Sequence, residues 1–236
     1  LKNNPSVGNF DSDSDLEIVF AHNNYNPDTQ EYSSNVEILN RDGTSVQGWP
    51  IIQQAFMWNS PAVGDIDKDG QDDIVVSYHS RLGIYAYNRN GEIKSGWPQL
   101  QGHSFTSSPT LLDTNNDGYL EIVIGNDGGY TYLLNNDGTL VNNWPQEKPF
   151  YYPYYSIDFT SSVAVEDSIG LDYIFSVAGK RLYGWDNNGN LLQDFPKKGY
   201  AMTENGMYVG DMDNDNKYEL VVAAYSDAIP ARYSIL

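Results

Sequence analysis

One pattern recurs along the chain and limits its fold more than any other feature. The stretch Ser60-Pro61-Ala62-Val63-Gly64-Asp65-Ile66-Asp67-Lys68-Asp69-Gly70-Gln71-Asp72-Asp73-Ile74-Val75-Val76 has the same layout as Ser108 to Ile124. Ser6 to Phe20 and Met207 to Val222 repeat it, and Ser162 to Ser176 is a worn copy. Aligned on the first residue of the polar loop, the copies fall at Asn9, Asp65, Asp113, Asp167 and Asp211, separated by 56, 48, 54 and 44 residues. Periods of this length fit one propeller blade each.

A second motif follows in every complete copy. It is a polar turn ending in glycine: Asn40-Arg41-Asp42-Gly43, Asn88-Arg89-Asn90-Gly91, Asn135-Asn136-Asp137-Gly138 and Asp186-Asn187-Asn188-Gly189. Such turns between apolar runs favour tight hairpins, because their central residues tolerate positive φ. Six residues after each glycine stands an aromatic followed by proline: Trp49-Pro50, Trp97-Pro98, Trp144-Pro145 and Phe195-Pro196. Each unit therefore reads as four strands. Strand A ends at the acidic loop and strand B is the β-branched run after it. Strand C precedes the glycine turn, and strand D carries the Trp-Pro, its proline at an edge or strand end where no ladder donor is needed. A repeated tryptophan suits the gap between packed blades. The expected fold is an all-β β-propeller of about five blades. The units lie near 1–56, 57–104, 105–158, 159–202 and 203–236 of a single domain or fragment, and the last stops after strand C. The chain begins at Leu1, and we expect it to be part of a longer polypeptide. The ring is then completed by further blades or closed by another segment, since an open ring would leave an unpaired strand edge.

The acidic loops carry the chemistry. Asp65, Asp67, Asp69 and Asp73 hold loop positions one, three, five and nine, where alternate side chains of a tight turn can converge, and Gln71 at position seven can add a carbonyl. Many hard oxygen ligands suit calcium rather than zinc or copper. The first loop offers Asn9, Asp11, Asp13, Asp15 and Glu17, and the third offers Asp113, Asn115, Asp117, Tyr119 and Glu121. The fifth offers Asp211, Asp213, Asp215, Lys217 and Glu219. In the fourth, Glu166 to Asp172, the loop is shorter and the alternating acids are missing. We expect about four calcium ions and one empty loop. A plain Asp/Asn/Gly turn would account for one such copy. Four in register crowd carboxylates whose mutual repulsion calls for a cation.

The pattern apolar-Gly-Asp-x-Asp-x-Asp-Gly-x-x-Asp-apolar, here Val63 to Ile74, resembles the FG-GAP or VCBS repeat of integrin-α-type propellers, found also in secreted bacterial proteins. The likeness covers nearly the whole chain. It implies a propeller, usually seven-bladed, with calcium in the A–B hairpins. This chain shows about five blades, and Ser60-Pro61-Ala62 is the nearest remnant of the pieces that name the family. Pyrroloquinoline-dependent propellers also repeat a turn followed by tryptophan, but they do not require the acidic loops.

Composition narrows the function. A formal net charge of −19 repels nucleic-acid phosphates, so no nucleic-acid partner is expected. There are no cysteines, which excludes disulfides and thiol catalysis, and no apolar stretch approaches a membrane span. His22, His79 and His103 are unclustered along the chain, and neither a Gly-x-Ser-x-Gly elbow nor a His-Glu-x-x-His motif occurs. The glycine-rich run Gly125 to Gly129 reads as a B–C hairpin turn. The sequence assigns no catalytic residue. It reads as a non-catalytic binding or adhesion module of a secreted or cell-surface protein, since loose calcium loops suit millimolar extracellular calcium. The alternative is the propeller of an extracellular polysaccharide-degrading enzyme of lyase type. That role calls for basic residues on the ligand face, and the 13 Lys and Arg are dispersed.

The ligand, a glycan or a protein, is expected on the face made by B–C and D–A connections. Tyr25 and Tyr32 lie in a B–C connection read as long, from His22 to Tyr32. Phe150, Tyr151, Tyr152, Tyr154 and Tyr155 crowd the link between the third and fourth units. Aromatic side chains on irregular loops of a rigid scaffold suit sugars or protein hot spots, and covering a blade edge is the competing use for them.

Overall fold

The structure is a computed structural model that describes residues 3–11, 13, 15–79, 82–100, 103–105, 107–148, 162–166, 172–178, 181–198, 202–212, 214, 219–224 and 231–234. Every regular element among them is a strand, and no helix there is long and apolar enough to cross a membrane. Five antiparallel sheets follow one another along the chain. The first holds β1 (Ser6–Gly8), β2 (Glu17–Asn26), β3 (Glu31–Leu39) and β4 (Ile51–Gln53). The second holds β5 (Ala62–Gly64), β6 (Asp73–Tyr78) and β7 (Gly83–Tyr87), its outer edge reduced to a bridge between Ile84 and Gln99. The third holds β8 (Thr110–Leu112), β9 (Glu121–Gly125), β10 (Tyr130–Leu134) and β11 (Gln146–Glu147). The fourth holds β12 (Ser162–Glu166), β13 (Asp172–Ala178), β14 (Arg181–Asp186) and β15 (Lys197–Lys198). The last holds β16 (Met202–Gly210), β17 (Glu219–Ala224) and β18 (Ala231–Ser234). The expected all-β propeller is thus the fold.

The core is a series of inter-blade layers. Successive residues of a strand point to opposite faces, so one strand feeds two layers. Ile74 and Val76 of β6 pack with Val19, Val36 and Ile38 of the first sheet, while Val75 packs with Ile122 and Ile124 of the third. The same alternation sends Val123 toward Ile174 and Trp185, and Phe175 toward Met207 and Leu220. β6 and β9 are buried on both faces, and their sequences, Ile-Val-Val and Ile-Val-Ile, are unbroken apolar runs. β2 instead alternates, because one face of the first sheet is uncovered and leaves Ile18 exposed.

Two seams join the blades. Near strand A, Ser60 N–H donates to Ser108 Oγ (2.9 Å), Asn4 N–H to Ser60 Oγ (2.8 Å) and Thr110 Oγ1 to the Ser162 carbonyl (3.0 Å). At the other seam, the indole N–H of each repeated tryptophan donates to the glycine turn of the following blade: Trp49 to the Arg89 carbonyl (2.9 Å), Trp97 to Asn136 (3.2 Å) and Trp144 to Asn187 (3.0 Å). Gly48 and Gly96, at φ +94° and +87°, lie so close to the Asn90 and Asp137 carbonyls that a Cβ would collide with backbone. The aromatic-Pro pairs stand just before strand D rather than inside it, since β4, β11 and β15 begin after the proline. Proline cannot donate to the ladder, so pairing starts beyond it.

A second difference concerns His22 to Tyr32. It is no irregular loop: β2 and β3 pair as far as Asn26 and Glu31, leaving a turn of only Pro27 to Gln30. Cross-strand pairing of Tyr25 with Tyr32 lets the polar Asn-rich segment continue as a ladder beyond the sheet.

Candidate functional site

The first, second, third and fifth acidic loops each join strand A to strand B and are closed by the same lock. A carboxylate at position nine, the first residue of strand B, accepts the backbone N–H of position two: Glu17 from Phe10 (2.8 Å), Asp73 from Ile66 (3.2 Å), Glu121 from Thr114 (2.7 Å) and Glu219 from Met212 (2.7 Å). Position four takes a left-handed conformation in Lys68, Asn116 and Asn214, and position six is a glycine with positive φ in Gly70 and Gly118. That alternation curls the backbone around the odd-numbered side chains.

In the first loop Asp11, Asp13 and Glu17 bring carboxylate oxygens within 4.8 Å of one another. Asn9 turns its amide to the Asp13 carbonyl (3.0 Å), and the Asp15 carboxylate stands 3.7 Å from Arg41. In the second loop Asp65, Asp67 and Asp73 gather in the same way. Asp69 stays outside that cluster, exposed, and accepts Gln71 N–H (2.9 Å). In the third, Asp113 accepts Asp117 and Gly118 N–H, Asn115 accepts Asp117 N–H, and Asp117 accepts Tyr119 N–H. Burial pushes the Glu121 carboxyl up, against the pull of its Thr114 hydrogen bonds. Of the fifth set, Asp211 and Glu219 are described, and Asp213, Asp215 and Lys217 lie outside the described residues. So does the core of the fourth loop.

The donor set of the first loop is oxygen throughout, with three carboxylates gathered on a backbone already bent toward them, and the third loop offers the same donor types on the same curl. This set fits a hard divalent ion of irregular coordination such as calcium. The second loop differs. Lys94, three residues after the turn glycine Gly91, puts its ammonium 2.7 Å from Asp67 Oδ2 and 2.7 Å from Asp73 Oδ2. Burial pushes the Asp73 carboxyl up to about 6, against the pull of Lys94. Burial also pulls on Lys94, but its bonds to the two carboxylates outweigh this and hold the ammonium above its usual value. The ion pair is the state at neutral pH.

The loops also sit on inter-blade seams. Asp72 beside the second loop accepts Asn9 N–H of the first (2.8 Å). Lys68 of the second donates to the Asp117 carbonyl of the third and lies 4.4 Å from the Tyr119 ring centroid. Asn187 in the fourth blade's turn donates to the Thr114 carbonyl (2.9 Å). Ordering one loop therefore orders its neighbours.

At the opposite end of the sheets an aromatic strip runs across three segments. Tyr25 and Tyr32 lie 4.7 Å apart between ring centroids, and Tyr32 meets Phe56 edge-on at 5.5 Å. Phe56 meets Trp58 at 5.5 Å, and Trp58 lies against His79 at 4.2 Å. The two tyrosines are about half exposed, at 51% and 53%. Tyr25 and Tyr32 were legible in the sequence, whereas Phe56, Trp58 and His79 were not. The apolar run Phe56-Met57-Trp58 just before the Ser60-Pro61 of strand A was the available signal. Phe150, Tyr151, Tyr152, Tyr154 and Tyr155 lie outside the described residues. Of the histidines, His22 pairs with Glu37 (2.7 Å) and His103 faces Asn126 (3.3 Å), so the three stay in separate surroundings.

The FG-GAP-like repeat family matches residues 9–76 and again residues 67–124. No curated protein matches the sequence. Among solved structures, the V. cholerae biofilm matrix protein Bap1 superposes with a TM-score of 0.61 at 22% identity, over 94% of this chain and 35% of its own. BBS1N, solved in complex with ARL6DN, superposes with a TM-score of 0.57 at 13% identity, over 98% of this chain and 67% of its own. The chain thus spans about a third of the length of the Bap1 chain. At these identities the likeness speaks for the fold. Together with the five stacked sheets and the repeated loop lock, the match makes this chain a β-propeller that carries FG-GAP-like repeats over residues 9–124.

Proposed function

We propose that the chain is a non-catalytic, calcium-stabilised binding module of a secreted or cell-surface protein, which holds a glycan or protein ligand on the face made by its B–C and D–A connections. The observation that carries the reading is the aromatic strip from Tyr25 to His79, assembled on a rigid scaffold opposite the acidic loops. Exposed tyrosines present flat apolar rings and hydroxyls, the chemistry that stacks on sugar rings or anchors a protein contact. Calcium in the first, third and fifth loops would be held by the odd-numbered oxygens described above and would serve the scaffold, because those loops lie on the seams and away from the strip. The setting named for Bap1, a biofilm matrix, supports an extracellular role.

The test is a glycan array and a surface-protein pull-down with the chain and its Tyr25→Ala/Tyr32→Ala variant. Loss of at least tenfold in affinity, with calcium content and melting unchanged, is the expected result. Equal binding by both forms overturns the placement of the site. Cleavage of a polysaccharide on the array would instead support a lyase-type role.

A further inference from the structure

We propose that Lys94 is a tethered cation that takes the place of calcium in the second loop, so that the loop closest to the family pattern is the one held without metal.

The case comes from comparing equivalent positions within the chain. The residue three places after the turn glycine is Val46, Lys94, Val141 and Leu192 in the first four blades. All four make the same backbone bond, to Ile38, Ala86, Leu133 and Gly184 carbonyls at 2.9–3.0 Å, so the four side chains start from one place in the blade. Three are apolar. Lys94 alone carries a charge there, and its side chain is only 10% exposed. From that shared start its ammonium ends on Asp67 and Asp73.

A second change accompanies the first. Position nine is glutamate in the first, third and fifth loops (Glu17, Glu121, Glu219) and the shorter aspartate, Asp73, in the second. The missing methylene leaves space beside the carboxylate, and the ammonium fills it. Both changes meet at one loop, and together they convert a carboxylate cluster awaiting an ion into one that carries its own.

Calcium bound to Asp67 and Asp73 at its usual ~2.4 Å would share both carboxylates with the ammonium. Two cations that close repel strongly in a half-buried site, so the metal must first displace an amine that is covalently held in place. The replacement is incomplete in one respect. Asp67 Oδ1 is buried with no hydrogen-bond partner, an acceptor that one ammonium does not reach and that a metal could use once the amine is gone. The inference rests on calcium occupying the other loops.

Equilibrium dialysis against calcium, with bound metal counted by atomic emission, tests it on the whole chain. Lys94→Met, and the double variant Lys94→Val/Asp73→Glu that restores the pattern of the other loops, should each bind one more calcium per chain than the parent. In EDTA, Lys94→Met should melt below the parent, and calcium should reverse the order. A measurement on the unaltered chain guards against a misfolded variant: the Lys94 ammonium resonance, slowed in exchange by its two carboxylates, should persist at saturating calcium. Equal, non-zero calcium counts in parent and variants, or loss of that resonance on adding calcium, overturns the proposal. Absence of bound calcium in every form overturns both this inference and the calcium reading on which it rests.

Discussion

Lys148 shows what a single residue costs when the fold buries it. It follows β11, is 1% exposed, and donates from Nζ to Ser176 Oγ (3.2 Å), with no carboxylate partner among the described residues. Burial pulls its pKa down from 10.5 to about 7. The folded state then binds fewer protons than the unfolded chain between those values. Stability contributed at this site is therefore lowest below pH 7 and recovers as pH rises toward 10.5, with a slope of at most about 1.4 kcal/mol per pH unit. Lys148→Met should remove that slope and stabilise the protein at pH 7. Urea unfolding of both forms across this range checks it, and parallel curves would show that the amine is solvated in the fold. Lys94 is the contrasting case, a largely buried amine whose charge is met by two carboxylates.

Among the elements, the tryptophan and the turn it touches form the recurring joint. Trp97 is 7% exposed, lies in the layer between the second and third blades, and donates to the Asn136 carbonyl. Trp97→Ala should cost about 3–5 kcal/mol through the lost contacts and the cavity left behind. Gly96→Ala should also destabilise strongly, because its φ is +87° and its Cβ would strike the Asp137 backbone. Ile93→Ala, at a 48% exposed position in the neighbouring turn, should change stability by no more than about 0.5 kcal/mol. Urea midpoints of the three variants would rank them, and a ranking with Ile93→Ala at the top would refute the joint.

For the whole molecule, acidic loops placed on the seams would couple the calcium proposed for them to the packing of blade on blade. A bound ion that the unfolded chain cannot hold stabilises by about 2.7 kcal/mol per site at a hundred times its dissociation constant. EDTA should lower the melting temperature, and calcium should restore it better than magnesium, whose stricter octahedral geometry suits these loops less. A melt indifferent to both would remove the metal from the account. The face bearing Tyr25 and Tyr32 should be insensitive to this treatment locally, since it lies at the far end of the strands from the loops.

The sequence by itself determined the repeat, the antiparallel order of strands within a blade, the acidic loops and the turn-to-tryptophan spacing, while the fourth strand of the second blade shrank to the Ile84–Gln99 bridge. Each depends on contacts within one unit, or on an apolar alternation that any neighbour satisfies. Asp65, Asp67 and Asp73 could be read as convergent because they lie within one short turn. Lys94 could not be placed among them, since it lies 21 residues from Asp73 and reaches it across a β-sheet. The aromatic strip was half legible for the same reason. Tyr25 and Tyr32 share a hairpin, whereas Phe56, Trp58 and His79 join them only once the second blade packs against the first. Local geometry follows from chain spacing, but which side chains meet across a blade or between blades is decided by tertiary packing.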